Sequence, residues 1–165
     1  MSPPTANSYR DILIGTFLAR SLEPHRADLG KRLVKAPKVY LRDSGLLHAL
    51  LDIADIDELQ GHPIVGASWE GFLIEQLLNM TTPRDATFYR TAAGAELDLV
   101  VEGRRRERVG YEMKYSLSPT VTKGFWNALS DLMSRTAYVV YPGEESWPLS
   151  DSVEVLPAVR LGSGS

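Results

Sequence analysis

The sequence has no cysteine, so disulfides and thiolate metal sites are excluded. Its three histidines, His25, His48 and His62, are scattered without zinc-ligand spacing. Any metal would therefore be held by carboxylates. No apolar run approaches the roughly 18 residues needed to span a bilayer, and Met1–Arg10 lacks the basic-then-apolar pattern of a signal peptide. A cytoplasmic location without membrane contact is expected. No G-x-x-x-x-G-K-[ST] occurs either. The pair Gly30-Lys31 is followed by Arg32 and has His25 where the first glycine should stand, so no nucleotide is expected to bind this chain through a P-loop. Basic excess is missing too. A net charge of −3 argues against a protein that coats nucleic acid generally, and any such contact must come from local basic patches.

What is present is ordinary globular composition, 44% hydrophobic and 24% charged over 165 residues, enough for one domain with a sizeable core. The informative stretch is Thr87–Tyr115. In a strand successive side chains alternate between faces, so Glu96 and Asp98 share one face of Glu96–Val101 while Leu97, Leu99 and Val101 line the other. Glu112 and Lys114 likewise oppose Tyr111, Met113 and Tyr115. The intervening Glu102–Arg108 is short, polar and contains Gly103, as a hairpin connection should. Pairing the two runs would gather Glu96, Asp98, Glu112 and Lys114 into one cluster. Like charges that close raise one another's proton affinity or require a cation between them, and hard oxygen donors suit Mg²⁺ or Mn²⁺.

A half-exposed strand shows the same alternation, but a helical acid weighs against so plain a reading. At about 100° per residue, Trp69, Leu73, Ile74, Leu77 and Met80 span one apolar arc of Ser68–Met80, whereas Gly71, Glu75 and Asn79 form the polar arc. Glu70 falls inside the apolar arc. A carboxylate facing a core is costly unless it is paired or bound to a metal.

Taken in order, Met1–Asn7 reads as a disordered lead and Ser8 as the N-cap of a helix carrying Tyr9, Ile12, Leu13 and Phe17. Strands are expected over Phe17–Leu22 and Lys38–Leu41, then a helix over Gly45–Leu51 capped by Asp43 or Ser44. This helix and two-stranded return, residues 8–57, is winged-helix-like. Beyond the central hairpin, Thr120 or Thr122 starts a helix to about Ser134, Ala137–Tyr141 is a buried strand, and Val153–Leu156 a last short one. A right-handed crossover would lay the Ala137–Tyr141 strand parallel to the Glu112 strand. Two basic groups stand out, Lys31, Arg32, Lys35 and Lys38 in the crossing loop and Arg104, Arg105, Arg106 and Arg108 at the hairpin tip. Of these Arg104, Arg105, Arg106, Lys31 and Arg32 are the candidate phosphate contacts. Packing and helix capping account for Tyr40, Arg42 and Asp43.

Asp98, followed 14 positions later by Glu112-x-Lys114, resembles the D…(D/E)-x-K core of the PD-(D/E)-x-K nuclease superfamily. Tyr9–Leu51, then Gly66-x-x-Trp69-Glu70, Gly94-x-Glu96-x-Asp98 and Glu112-x-Lys114-x-Ser116, resemble in order family 4143, a domain of unknown function found behind the P-loop module of bacterial and archaeal AAA-type ATPases. The resemblance implies an α/β fold over residues 64–161, a restriction-endonuclease-like mixed sheet flanked by helices; separately, Gly162–Ser165 (GSGS) reads as a linker scar. The resemblance also implies an ATPase module as partner and nucleic acid, DNA before RNA, as substrate. Asp98, Glu112 and Lys114 would be catalytic, with Glu70 as the helical acid. Asp98 and Glu112 would hold Mg²⁺ or Mn²⁺, completed by Glu96 or Glu70. The alternative is a catalytically silent nucleic-acid- or protein-binding module of such an ATPase.

Overall fold

The computed structural model describes residues 3–26, 32–81, 85–103 and 105–161. Its element order is α1 (Pro3–Gly15), β1 (Ala19–Pro24), β2 (Lys38–Leu41), α2 (Ser44–Leu50), α3 (Ile56–Gly61), α4 (Val65–Thr81), β3 (Asp85–Arg90), β4 (Glu96–Glu102), β5 (Arg108–Met113), α5 (Lys123–Leu132), β6 (Thr136–Tyr141), β7 (Trp147–Ser150) and β8 (Val153–Pro157), closed by a short 3-10 turn, Ala158–Arg160. The strands form one mixed sheet in the order β2-β1-β3-β4-β5-β6-β8-β7. Strand β5 runs parallel to β6 and β6 parallel to β8. The crossover through α5 thus gives the parallel pairing expected from the sequence.

Helices cover both faces of the sheet. On one, Leu73, Ile74 and Leu77 of α4 pack on Leu22, Phe88, Leu99, Val101, Tyr111, Met113 and Val140. On the other, Phe125, Ala128, Leu129 and Leu132 of α5 pack on Leu97, Val100, Ala137, Val139, Val153 and Val155. A fully buried aliphatic side chain contributes about 1.5–3 kcal/mol, so both interfaces are needed. Helix α5 starts where Thr122 accepts from the Phe125 amide, at one of the two positions anticipated. Helix α2 starts where Asp43 accepts from the Leu46 amide.

Four sequence expectations are revised. Helix α1 begins at Pro3, within the stretch read as a disordered lead, and Ser8 lies inside it rather than at its cap. Proline is tolerated in a first helical turn, whose amides lack intrahelical acceptors anyway. The pair β1–β2 does follow a helix, but β1 also lies parallel to β3, with Glu23 opposite Thr87 and Pro24 opposite Phe88. Residues 8–57 therefore extend the main sheet instead of forming a separate winged-helix-like unit, because each strand satisfies an otherwise open edge of the other. Strand β7 was not anticipated; it carries Pro148 at the sheet edge, where a missing amide is tolerated.

The fourth revision concerns β4. Between Thr87 and Tyr89 of β3 the register steps from Val100 to Leu97, so β4 carries one extra residue. Such a bulge breaks strict alternation. Leu97 accordingly joins the α5 core, while Leu99 and Val101 join the α4 core.

Of the polar arc expected on α4, Gly71 and Glu75 are buried and only Asn79 is exposed. Glu75 is 5% exposed and accepts from Arg20 of β1 and from Arg42 just past β2, the latter at 3.0 Å. The reason is tertiary: the β1–β2 pair covers that side of α4. Burial would raise the Glu75 carboxyl, yet the two guanidiniums prevail and hold it below its usual range. Its stabilising contribution is thus present above the ordinary carboxylate pKa and is lost as pH falls through the depressed value. Glu75→Gln should cost about 3 kcal/mol at neutral pH, read as a lower urea midpoint. A difference below about 0.5 kcal/mol would show the network to be energetically idle.

Candidate carboxylate–lysine site

The acids meet at one end of the sheet. Glu96 and Asp98 open β4, Glu112 lies near the end of β5, and Glu70 sits one turn into α4. The preceding turn is fixed by Gly94, whose φ of 87° lies in the left-handed region. Its carbonyl is approached so closely by α5 that a Cβ on Gly124 would come within 2.2 Å. The bulge then directs Asp98 toward the strand end, where its Oδ2 accepts from the Met113 amide at 3.0 Å. Backbone pairing between the two strands thereby fixes the carboxylate.

Two ammonium groups balance the acids. Lys114 lies just past β5, its amide donating to Val140 O at 2.9 Å and its Nζ to Glu112 Oε1 at 2.6 Å. The second, Lys38 at the start of β2, was read as part of a basic loop. Its Nζ donates to Glu70 Oε1 at 2.7 Å and Asp98 Oδ1 at 3.1 Å, lies 3.8 Å from Glu96 Oε1, and stands 5.4 Å from the centre of the Phe88 ring. Tyr40 also belongs to the site, donating to Glu70 Oε1 at 2.6 Å. Its ring can approach because residue 71 is glycine; a Cβ there would lie 3.1 Å from Tyr40 Cδ1. Period-two alternation does put Lys38 and Tyr40 on one face of β2. That their partner is Glu70, 30 and more residues on, is a tertiary fact.

Proton affinities follow from this crowding. Burial, then the Asp98 charge, raises the Glu70 carboxyl, with Lys38 opposing. Burial, again followed by Asp98, pushes Glu112 up to about 7 despite Lys114. Burial alone would lower both lysines, but Asp98 and Glu70 raise Lys38, and Glu112 raises Lys114. Burial and Glu70 also raise Tyr40. One acceptor has no counterpart among the described residues: Glu112 Oε2 is buried without a hydrogen bond.

Among the described residues no three carboxylate or imidazole groups are spaced to share a metal ion. A triad of Glu96, Asp98 and Glu112 is not assembled. A pair remains, because Mg²⁺ commonly takes one or two carboxylates and completes its shell with water and phosphate. The donor chemistry of Asp98 and Glu112, including the orphaned Glu112 Oε2, fits such an ion.

The proposed phosphate contacts divide. Lys31 and Arg104 lie outside the described residues. Arg105 and Arg106 are exposed in the β4–β5 connection, at the opposite end of the hairpin from the acids, roughly 15 Å away at about 3.3 Å per residue. These two candidate phosphate contacts therefore do not adjoin the acids, since an antiparallel pair holds its turn at one end and its open strands at the other. Arg108 instead pairs with Glu102. Arg32 is exposed and does lie at the acid end, its carbonyl accepting from the Ala92 amide beside Arg90, which pairs opposite Glu96.

A model of a domain of unknown function, DUF4143, matches residues 65–161, more than half of the chain. The chain belongs to the DUF4143 family. A second domain of unknown function, DUF8612, matches residues 1–57, so the sheet and the site cross from one matched segment into the other. Two mycobacterial relatives, the uncharacterized proteins Mb2031c of Mycobacterium bovis and Rv2008c of Mycobacterium tuberculosis, are each 44% identical over 157 residues, covering 95% of this chain. The chain spans 35% of the length of these curated relatives. Among solved structures, the chain is similar at a TM-score of 0.38 and 10% identity to a chain in the refined half-complex of Thermococcus gammatolerans McrB AAA+ hexamers with bound McrC, over 92% of this chain and 60% of that one. No helix among the described residues is long and apolar enough to cross a membrane.

The raised Glu112 carboxyl has a thermodynamic consequence. A group whose folded pKa exceeds its ordinary 4.5 contributes its stability below that value and loses it as pH rises through about 7. In metal-free buffer, Glu112→Gln should remove this loss, gaining about 2 kcal/mol on the native chain between roughly pH 5 and pH 8 in urea unfolding. Parallel pH curves for the two proteins would contradict the assignment.

Proposed function

We propose that this DUF4143 domain is a nuclease-like module that hydrolyses phosphodiester bonds of nucleic acid with Mg²⁺ or Mn²⁺, in the service of an AAA-type ATPase. The observation that carries the reading is the buried pair Asp98 and Glu112, one acid anchored by the Met113 amide and the other leaving Oε2 without a partner among the described residues, beside the Lys114 ammonium. Structural carboxylates are normally satisfied. One left unsatisfied next to a second acid suits a site that awaits a cation.

In this reading Asp98 and Glu112 would hold the metal, with Glu70 and Glu96 as the neighbouring acids. A bound divalent cation polarises the phosphate and lowers the pKa of water. Lys114 orients the attacking water and offsets the charge that builds on the phosphoryl oxygens. As the water oxygen bonds to phosphorus, the bond to the leaving sugar oxygen breaks; the water loses a proton to solvent and the leaving alkoxide gains one. Arg32, at the same end, is placed to touch the phosphate backbone, whereas Arg105 and Arg106 are suited only to a substrate that runs the length of the sheet. The ATPase link rests on the resemblance of the motif series, and the greater length of the relatives leaves room for such a module.

A specific observation favours a second reading, a catalytically silent binding module. Lys38 already supplies a cation to Glu70 and Asp98, so these acids do not depend on a metal for their charge balance. Incubation with linear, circular and branched DNA in Mg²⁺ and Mn²⁺ separates the two. Cleavage is expected for the native chain, reduced by about 10²-fold or more in Asp98→Asn and in Lys114→Ala. Undiminished cleavage in Asp98→Asn would remove the site assignment, and no cleavage of any substrate would favour the silent module.

A further inference from the structure

The Lys38 ammonium is the centre of the acid cluster, within hydrogen-bond reach of Glu70 and Asp98 and 3.8 Å from Glu96. It arrives from β2, in the segment matched by a different family model from the one that contains the acids. Lys38 and Tyr40 both converge on Glu70 Oε1, so β2 presses one polar edge against the acids. Near Asp98, Glu112 Oε2 is buried and has no donor among the described residues, so the cluster as a whole retains capacity for positive charge.

We propose that Lys38 is a tethered countercation, which holds Asp98 and Glu70 in the metal-free protein and withdraws from Asp98 when a divalent cation binds there. The inference rests on the reading of Asp98 as a metal ligand. An ammonium and a divalent ion against the same Asp98 oxygen repel each other and compete for its lone pairs, so binding of the ion favours withdrawal of Lys38. Exchange is cheap in charge. The incoming ion pairs with Asp98 and the orphaned Glu112 oxygen, while Lys38 keeps Glu70, itself still bonded to Tyr40. β2 lies at the outer edge of the sheet, beyond β1, so Lys38 can swing on its four-carbon stem without disturbing a central strand.

The test compares metal binding by the full chain and its Lys38→Met variant, using Mn²⁺ alone in titration calorimetry, with Asp98→Asn as control. The variant has no ammonium to displace. It should bind Mn²⁺ at least about tenfold more tightly than the native chain. It should also melt lower than the native chain in chelator and recover on addition of Mn²⁺. Equal or weaker Mn²⁺ binding by Lys38→Met, with binding abolished in Asp98→Asn, would overturn the exchange while leaving the metal site standing. No Mn²⁺ binding by either chain would overturn both. Should the variant fail to fold, acylation of lysine amines on the native chain, mapped by mass spectrometry, gives an independent answer. Mn²⁺ should increase labelling at Lys38 several-fold relative to Lys123 as an internal reference, and labelling of Lys38 that Mn²⁺ leaves unchanged would overturn the proposal.

Discussion

Acids gathered in a sheet that is covered on both faces must find positive charge, and this requirement governs the N-terminal half of the molecule. Three cations from the β1–β2 region, Arg20, Lys38 and Arg42, meet two acids of α4, Glu70 and Glu75. Removing one partner from a buried pair leaves an uncompensated charge, which costs more than the pair itself provides. The strands and the helix are therefore locked to each other by charge as well as by Leu22 and Tyr40 packing against α4 and its neighbours. That is why the segment matched by one family model cannot be described apart from the segment matched by the other.

The second constraint is geometric. An unbroken β4 would alternate Leu97, Leu99 and Val101 onto one face, leaving the α5 side short of apolar contacts at its start. The extra residue in β4 gives Leu97 to α5 and Leu99 to α4, and it places Asp98 where the Met113 amide can hold it. Bulges re-aim single side chains in this way without breaking the sheet. Packing and chemistry are served by the same local irregularity.

Charge balance also gives the site two possible modes of life. With Lys38 on Asp98 the cluster is closed and stable; with its second acid, Glu112, unsatisfied and raised toward neutrality, it is receptive to a cation. What the cluster can hold depends on which cation occupies Asp98. The arginine-rich turn between β4 and β5 plays no part in that contest, being at the other end of the strands.

Much of the frame was legible in the residues alone. Local signals were sufficient for β2, for α2 with its Asp43 cap, for α5 with Thr122, for the β4–β5 hairpin and for the parallel return through β6, since capping and periodicity act within a few residues. Glu70 also stood out, because one acid on an apolar arc must have a partner. Which partner it has was decided only by the tertiary structure. Lys38 and Tyr40 lie some 30 residues before Glu70, and no local rule links them. The same holds for Glu75, read as solvated until β1 and β2 cover it. Long-range pairing sets these contacts, because whether a charge is buried depends on what packs above it rather than on its neighbours along the chain.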